Sequence, residues 1–470
     1  MKPKDKPLDI LVVGSGLSSL IFIDKYLKKK SNLNIISPDF NLNKIEFNND
    51  NDHIFKILPP QMTDKNKVKS YFHFNNILIN KNCKLFGSLE FGGLSNYWGL
   101  QIDPNIHEDI KYLKKKTQKK IIKSFFEIMN NFRLSGKFER DKDIIDFSFK
   151  SKFFDNKNRF DKNLEVQELI LGFENRSKKK NIENINEQKD KFIPKNFYKK
   201  YLKSKKIKLH NYYVKKIKKS KAGIEVICSN TISNKSFYTK KLVLGCGTLV
   251  STKLILEYLN VKKEVKLNHH PRLFSLFFLK KSWSNNMIFQ PSQNHIKLKK
   301  KNDLFTVDLR PGNKLIINSI IKFKKIMLPF KFFLNFFRSN MLFVNTFLHP
   351  KFGDLYLKLD NNNRMNVYSK NKNNEQFFNK ISKMIYKFLR KQNKIFPFIK
   401  NYFPGYGADF HYFGTIPING KGKLSVTENC QLTKDKNIYI IDNSVFNFKK
   451  NKYPIGLTLA NARRIAEDLS

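Results

Sequence analysis

The sequence predicts a mixed α/β fold, and three stretches carry that prediction. Asp9-Ile10-Leu11-Val12-Val13 is a continuous apolar run that stops at Gly14-Ser15-Gly16, after which Leu20 to Lys29 takes helical spacing. Lys241-Leu242-Val243-Leu244 repeats the arrangement, with small residues from Gly245 to Thr248 and a helical stretch from Ser251 to Leu259. Runs that are apolar throughout suit parallel strands buried on both faces. Residues 272–370 alternate instead, notably Leu355-Tyr356-Leu357-Lys358-Leu359, which is the period of half-buried antiparallel strands. The expectation is a parallel-sheet part joined to an α+β part built on an antiparallel sheet.

The chain has 470 residues, enough for two domains or one large one. Its formal net charge is +51, yet only 11 of its 90 basic residues are arginine and the other 79 are lysine. Phe, Tyr, Ile and Asn are abundant too, which is the residue mix of an A+T-rich coding sequence. The lysines are spread along the chain without forming a stripe, so they read as solvated faces and nucleic-acid binding is disfavoured. The same positive field can still draw in an anionic substrate or an acidic membrane surface. Cys83, Cys228, Cys246 and Cys430 are far apart and form no Cys-x-x-Cys pair, which argues against a disulfide framework or a metal site and suits a reducing cytoplasm. Lys2, Lys4 and Lys6 before the apolar run from Leu8 to Ile23 imitate a secretory signal. Asp9 and the Gly14-Ser15-Gly16 turn fit a strand–turn–helix better, and no uninterrupted apolar run is long enough to span a bilayer. A soluble cytoplasmic protein with room for peripheral membrane contact is expected.

Taken in order, the first turn is the first candidate site. Glycines at 14 and 16 let a pyrophosphate approach the backbone, and the helix behind them presents N–H donors and a positive dipole end. Ser19 stands where a third glycine is usual and is small enough for helix–strand packing. The second strand, Leu33 to Ile36, should end at an acid that holds a ribose hydroxyl. Ser37 occupies that place and Asp39 lies two residues on. Phe91 to Gly99 is a glycine-rich loop with Trp98, suited to lying flat against a planar ligand or to being a packed turn. A basic amphipathic helix is expected from His107 to Phe132, followed by a polar region to Asn196 with an exposed loop over Lys178 to Asp190. Strands resume at Ile207 to His210, Tyr213 to Ile217 and Gly223 to Cys228. Ile320 to Phe347 is strongly aromatic. It reads as core or as a cap in preference to a lipid-facing ridge, because Pro329 and several lysines interrupt it. A helix from Gln376 to Lys394 leads to Asp409-Phe410-His411-Tyr412-Phe413-Gly414-Thr415. The chain closes with a strand ending at Asp442 and a small-residue helix after Tyr453-Pro454.

Five blocks in this order resemble the glucose–methanol–choline (GMC) family of FAD-dependent oxidoreductases. They are Gly14-x-Gly16-x-x-Ser19; Gly92-Gly93-x-Ser95-x-x-Trp98-Gly99; Val243-Leu244-Gly245-Cys246-Gly247; Asn268-His269-His270-Pro271; and the His411 to Ala462 region. The resemblance implies a Rossmann-like FAD-binding domain, discontinuous over residues 1–105, 200–270 and 405–470, interleaved with an antiparallel-sheet substrate or cap domain over 106–199 and 271–404. It implies FAD, expected to be non-covalent because the histidine that carries covalent flavin in some members has no assigned counterpart here. Gly14, Gly16 and Ser19 would lie at the pyrophosphate and Asp39 at the ribose. Val214 and Gly247 would lie near the adenosine, Ser95, Trp98 and Gly99 against the isoalloxazine, and Asp442 and Asn443 at the ribityl chain. His411 falls on the family's catalytic base, and a histidine suits proton transfer near neutral pH. Tyr453 falls where the family usually has His or Asn; Asn451 is the neighbouring alternative.

The resemblance implies an oxidoreductase acting on a CH–OH group, with a small alcohol, polyol or sugar as substrate. Its electron acceptor, whether oxygen or another carrier, is left open. Two other functions stay in view. Ser37 and Tyr453 depart from the family pattern, which suits a degenerate member that binds FAD without oxidising alcohols. The charge suits a basic binder of nucleic acid or anionic lipid.

Overall fold

The computed structural model of the chain describes residues 6–39, 62, 64–140, 143–146, 164–174, 190–282, 294–300, 303–312, 317–318, 321, 328–370, 374–392, 394–397, 400–449 and 453–470. The first strand–turn–helix is β1 (Leu8–Val13) and α1 (Leu17–Tyr26), followed by β2 (Leu33–Ile36). Then come α2 (Lys115–Asn131) and β3 (Leu164–Glu168). Next are β4 (Ile207–His210), β5 (Tyr213–Ser220), β6 (Gly223–Ser229), β7 (Asn234–Leu244) and α3 (Thr248–Tyr258). The middle of the chain supplies β8 (Arg272–Phe278), β9 (Asn294–Lys300), β10 (Asp303–Pro311), α4 (Lys331–Phe336), β11 (Met341–Phe347), α5 (Glu375–Lys391) and β12 (Lys400–Tyr402). β13 (Asp435–Ile440) and α6 (Ile455–Leu469) end it.

The main sheet runs β4-β2-β1-β7-β6-β5, with β13 joined to the C-terminal part of β7. β4, β2, β1, β7 and β13 are parallel. β5, β6 and the start of β7 form an antiparallel meander. Ile10 to Val13 are buried on both faces, which is why that strand shows no alternation. Helix α1 is buried nearly all round, Lys25 excepted, and packs against α6. Helix α6 also packs on α2, closely enough that a Cβ on Gly456 would sit 2.7 Å from Ile102 Cγ2 and 2.9 Å from Phe125 Cε2.

The second large sheet is antiparallel, in the order β12-β8-β11-β10-β9-β3. One face packs under α5, where Phe378, Ile381, Ile385 and Leu389 meet Leu273, Phe277, Val307 and Val344. Strand β8 alternates, and its other face presents Arg272, Phe274 and Leu276 to a large cavity. A third, four-stranded sheet includes the alternating stretch Leu355–Leu359.

Two expectations change, and a third is not tested. The helix from His107 is a 3-10 turn at Ile106–Asp109 followed by α2, which starts at Lys115. The Glu428 carboxylate sets that start by accepting from Lys114 N–H (3.0 Å) and Thr117 Oγ1 (2.6 Å). The aromatic stretch from Ile320 divides in two: Met341–Phe347 is core strand, but Phe330, Phe332, Phe333 and Phe336 are exposed and not core. The loop expected over Lys178 to Asp190 lies outside the described residues, apart from Asp190 itself. No described helix is long and apolar enough to cross a membrane.

Candidate active site

The parallel strands β1, β2, β4, β7 and β13 end together at one edge of the sheet, the place where open α/β sheets bind ligands. A cavity of about 1040 Å³ begins there and extends to the face of β8 and β11. Gly14 has φ +101°, and a Cβ on it would lie 2.5 Å from the Gly245 carbonyl oxygen, so only glycine lets the two strand ends meet. Gly16 precedes α1 without a side-chain cap. The glycine-rich loop is stitched onto this turn. Ser95 Oγ accepts from Leu17 N–H (3.1 Å), and Ser15 Oγ accepts from Gly92 N–H (2.8 Å). Trp98 is oriented by its indole N–H, which donates to the Phe192 carbonyl at 3.1 Å.

Gly14, Gly16, Ser95, Trp98, Gly99, Val214, Gly247, Asp442 and Asn443 all line the cavity. Two candidates are placed elsewhere. Ser19 is buried, and its hydroxyl donates to the Gly245 carbonyl (3.3 Å), locking helix to strand behind the cavity wall. Asp39 is exposed, its backbone N–H donating to Asn211 Oδ1 at 2.7 Å; Ser37 and Pro38 line the cavity in its place. Ser37 Oγ lies 2.6 Å from Ser15 Oγ, so a hydroxyl pair replaces the expected acid beside the turn.

The Asp442 carboxylate accepts from Gly247 N–H (3.1 Å), Ser251 Oγ (2.5 Å), Ser444 N–H (3.1 Å) and Ser444 Oγ (2.5 Å). Burial pushes its pKa up against these donors. Gly247, at φ +86°, is the opposite of Gly14: a Cβ there would meet nothing within 4 Å and would project into open space. A backbone glycine facing empty volume beside an anchored carboxylate is the cradle a dinucleotide needs. The residues present therefore fit FAD.

At the far end His411 is half-buried and stacks on Phe347 (centroids 4.9 Å apart, 21° between planes). Burial lowers its pKa to about 4; the nearby Asp409 carboxylate opposes that shift and Arg272 adds to it. The imidazole is therefore neutral at pH 7. Asp409 is the organiser here. Its carboxylate meets His269 Nδ1 (2.8 Å) and accepts from the backbone N–H groups of His270 (3.0 Å) and His411 (3.3 Å). Burial opposes the charge on Asp409, yet His269 holds its pKa below the usual value.

Tyr453 lines the cavity, but its phenol donates to the fully buried Asp308 (3.1 Å). That carboxylate also accepts from Gln101 Nε2 (2.9 and 2.8 Å) and from Arg310 (2.9 Å). The Phe347 ring lies against both Tyr453 and His411. Asn451 lies outside the described residues.

Arg272, Phe347, Asp308 and Arg310 were not singled out from sequence. They come from β8, β10 and β11, and β-sheet register brings them together: Arg272 opposes Phe347, and Asp308 opposes Asn345. Arg272 donates to Asn345 Oδ1 (2.9 Å), and its guanidinium lies 4.5 Å above the Phe274 ring. Among the described residues no carboxylate forms an ion pair with it. Only its position directly after Asn268-His269-His270-Pro271 pointed to it.

No family model matches the chain, and no curated protein matches it. Among solved structures it is similar to pyridoxine 4-oxidase from Mesorbium loti, at 10% identity, covering 98% of this chain and 99% of that chain with a TM-score of 0.56. That protein is a GMC-family FAD oxidoreductase. At this identity the likeness concerns architecture, and in architecture the chain has the GMC fold that its five sequence blocks resemble.

Proposed function

We propose that the protein is an FAD-dependent oxidoreductase that oxidises a CH–OH group of a small alcohol, polyol or sugar, with His411 as the base. The observation that carries this reading is a cavity that runs from the Gly14–Gly16 turn to His411, with the glycine-rich loop pinned to that turn and lining the same cavity. FAD would be held without a covalent link by the turn, by Val214 and Gly247, and by Asp442 and Asn443. We assign residues 1–105, 200–270 and 405–470 to the part that holds it.

When bound, FAD supplies the two-electron chemistry by accepting the hydride from the carbinol carbon. His411 takes the hydroxyl proton, so the substrate leaves as a carbonyl compound and the imidazole as imidazolium. A neutral imidazole on the cavity wall is in the right form to accept that proton. Phe347 holds its plane by stacking, and Asp409 holds its backbone. Phe347 and Trp98 also keep water away from the reacting centre. The test is the visible spectrum of purified protein during anaerobic titration with a panel of alcohols and sugars. Bleaching of a flavin band by one of them supports the reading.

A second reading has a specific observation behind it. The Tyr453 phenol is already committed to Asp308, so the position that usually carries a second His or Asn is not presented as a free partner of His411. That arrangement suits a flavoprotein that does not turn over alcohols. A yellow protein that no substrate bleaches, and that His411→Ala leaves unchanged, would establish it.

A further inference from the structure

The aromatic stretch that is not core needs an explanation. Leu328, Phe330, Phe332, Phe333 and Phe336 are 59, 54, 84, 58 and 71% exposed. Single exposed apolar side chains are ordinary, but five within nine residues form a contiguous patch, and such patches mark interaction sites. The inner side of α4 is well seated. Leu334 packs with Ile317, Ile321 and Met341 against Leu276, Phe278 and Phe343. Leu276 and Phe343 also line the cavity, as do the exposed Lys400 and Tyr402 where it meets solvent. Leu276 pairs with Lys400 across the sheet. The ridge therefore stands beside the cavity mouth with its aromatic side turned to solvent.

Charge selects the occupant. From Leu309 to Gly353 the sequence contains no Asp or Glu and eight Lys or Arg residues. Within the described ridge, Lys331 is exposed and Arg338 follows on the 3-10 turn Phe337–Asn340. A second copy of this chain would bring the same cationic patch against itself, which electrostatics opposes. Phenylalanines flanked by cations, on a segment too short to span, are what an interfacial anchor presents to anionic headgroups.

We propose that Leu328–Phe336 is a membrane-docking ridge that sits in the interface of an anionic phospholipid bilayer and holds the cavity mouth against it. The inference does not depend on the redox reading.

The test is flotation of the full-length protein with vesicles of phosphatidylcholine alone and with phosphatidylglycerol added. The wild-type protein should float with the anionic vesicles, release at high salt, and stay unbound with phosphatidylcholine alone. The double variant Phe332→Asp/Phe336→Asp should lose about tenfold or more of that partitioning while keeping its melting temperature and cofactor absorbance. Because an acidic variant could act through charge alone, Phe332→Trp supplies a second reading. Its emission should shift to the blue with anionic vesicles. Failure of the wild-type protein to float would overturn the proposal, as would undiminished flotation of the double variant or no emission shift. Conversion of a wild-type dimer to a monomer by the double variant would overturn it in favour of a second copy.

Discussion

The two ends of the cavity are built from different materials. The end under the parallel sheet is made of backbone: glycines at strand ends, exposed N–H groups, and one carboxylate wrapped by backbone and serine donors. The end under the antiparallel sheet is made of side chains: His411, Phe347, Arg272, Tyr453, Asp308 and Arg310. A backbone site needs particular residues at fixed spacing along one stretch, so it leaves a mark in the sequence. A side-chain site needs only that separate strands arrive in register.

The sharpest way to break this comparison is at His411. With His411→Ala, anaerobic flavin reduction by a substrate that bleaches the wild-type protein should slow by about 10²–10⁴-fold, the usual contribution of a positioned base. Flavin content should not change, because the residue stands at the side-chain end. Rapid-mixing absorbance checks both, and loss of flavin in the variant would show that the two ends are not separable.

Asp308→Asn tests the same end through stability. The carboxylate is fully buried and takes Gln101, Arg310 and Tyr453 together. Removing its charge leaves the Arg310 guanidinium without its buried counter-ion, which costs about 3–5 kcal/mol. The expected outcome is a clear drop in the urea midpoint with an unchanged slope. An unchanged midpoint would mean that solvent reaches this cluster.

The two glycines separate fold from ligand at the backbone end. Gly14→Ala puts a methyl 2.5 Å from the Gly245 oxygen at a positive φ, so about 2–4 kcal/mol of stability should go. Gly247→Ala meets no protein atom, so only the backbone term of about 1–3 kcal/mol for a side chain at φ +86°, ψ 154° remains. Its flavin affinity should nevertheless fall, because the methyl enters the space kept for the ligand. Thermal melts with and without added FAD distinguish the two. If Gly247→Ala binds flavin as tightly as the wild-type protein, that space has another use.

These contrasts also explain what could be read in advance. The strand–turn–helix units were legible because Ile10 to Val13 and Leu242 to Leu244 are buried on both faces and end in glycine. The alternation of Leu355–Leu359 was legible for the same kind of reason. Asp39 was less so, because spacing along β2 does not tell which side chain after the strand turns inward. Ser37 turns inward, paired with Ser15, whereas Asp39 is exposed and only its backbone is bonded to Asn211. The exposure of Phe332 and Phe336 was hidden for another reason: a run of phenylalanines looks alike in composition whether it faces a core or the outside of the molecule.

The smallest expected effect is on pH dependence, and it probes the Arg272 guanidinium. Burial is the largest cause of the low His411 pKa, Asp409 opposes it, and Arg272 disfavours the imidazolium further. In the proposed role His411 is active when neutral, so the rate of flavin reduction should hold above the folded pKa and fall as pH drops through about 4. Arg272→Met removes a positive neighbour, stabilises the imidazolium and moves that acid limb to higher pH. Asp409→Asn removes a negative neighbour and moves it to lower pH. Single-turnover reduction across the acid range, with a substrate that does not itself titrate there, measures both shifts. Opposite displacements in the two variants identify His411 as the titrating group; a limb that moves in neither variant assigns the titration to another residue.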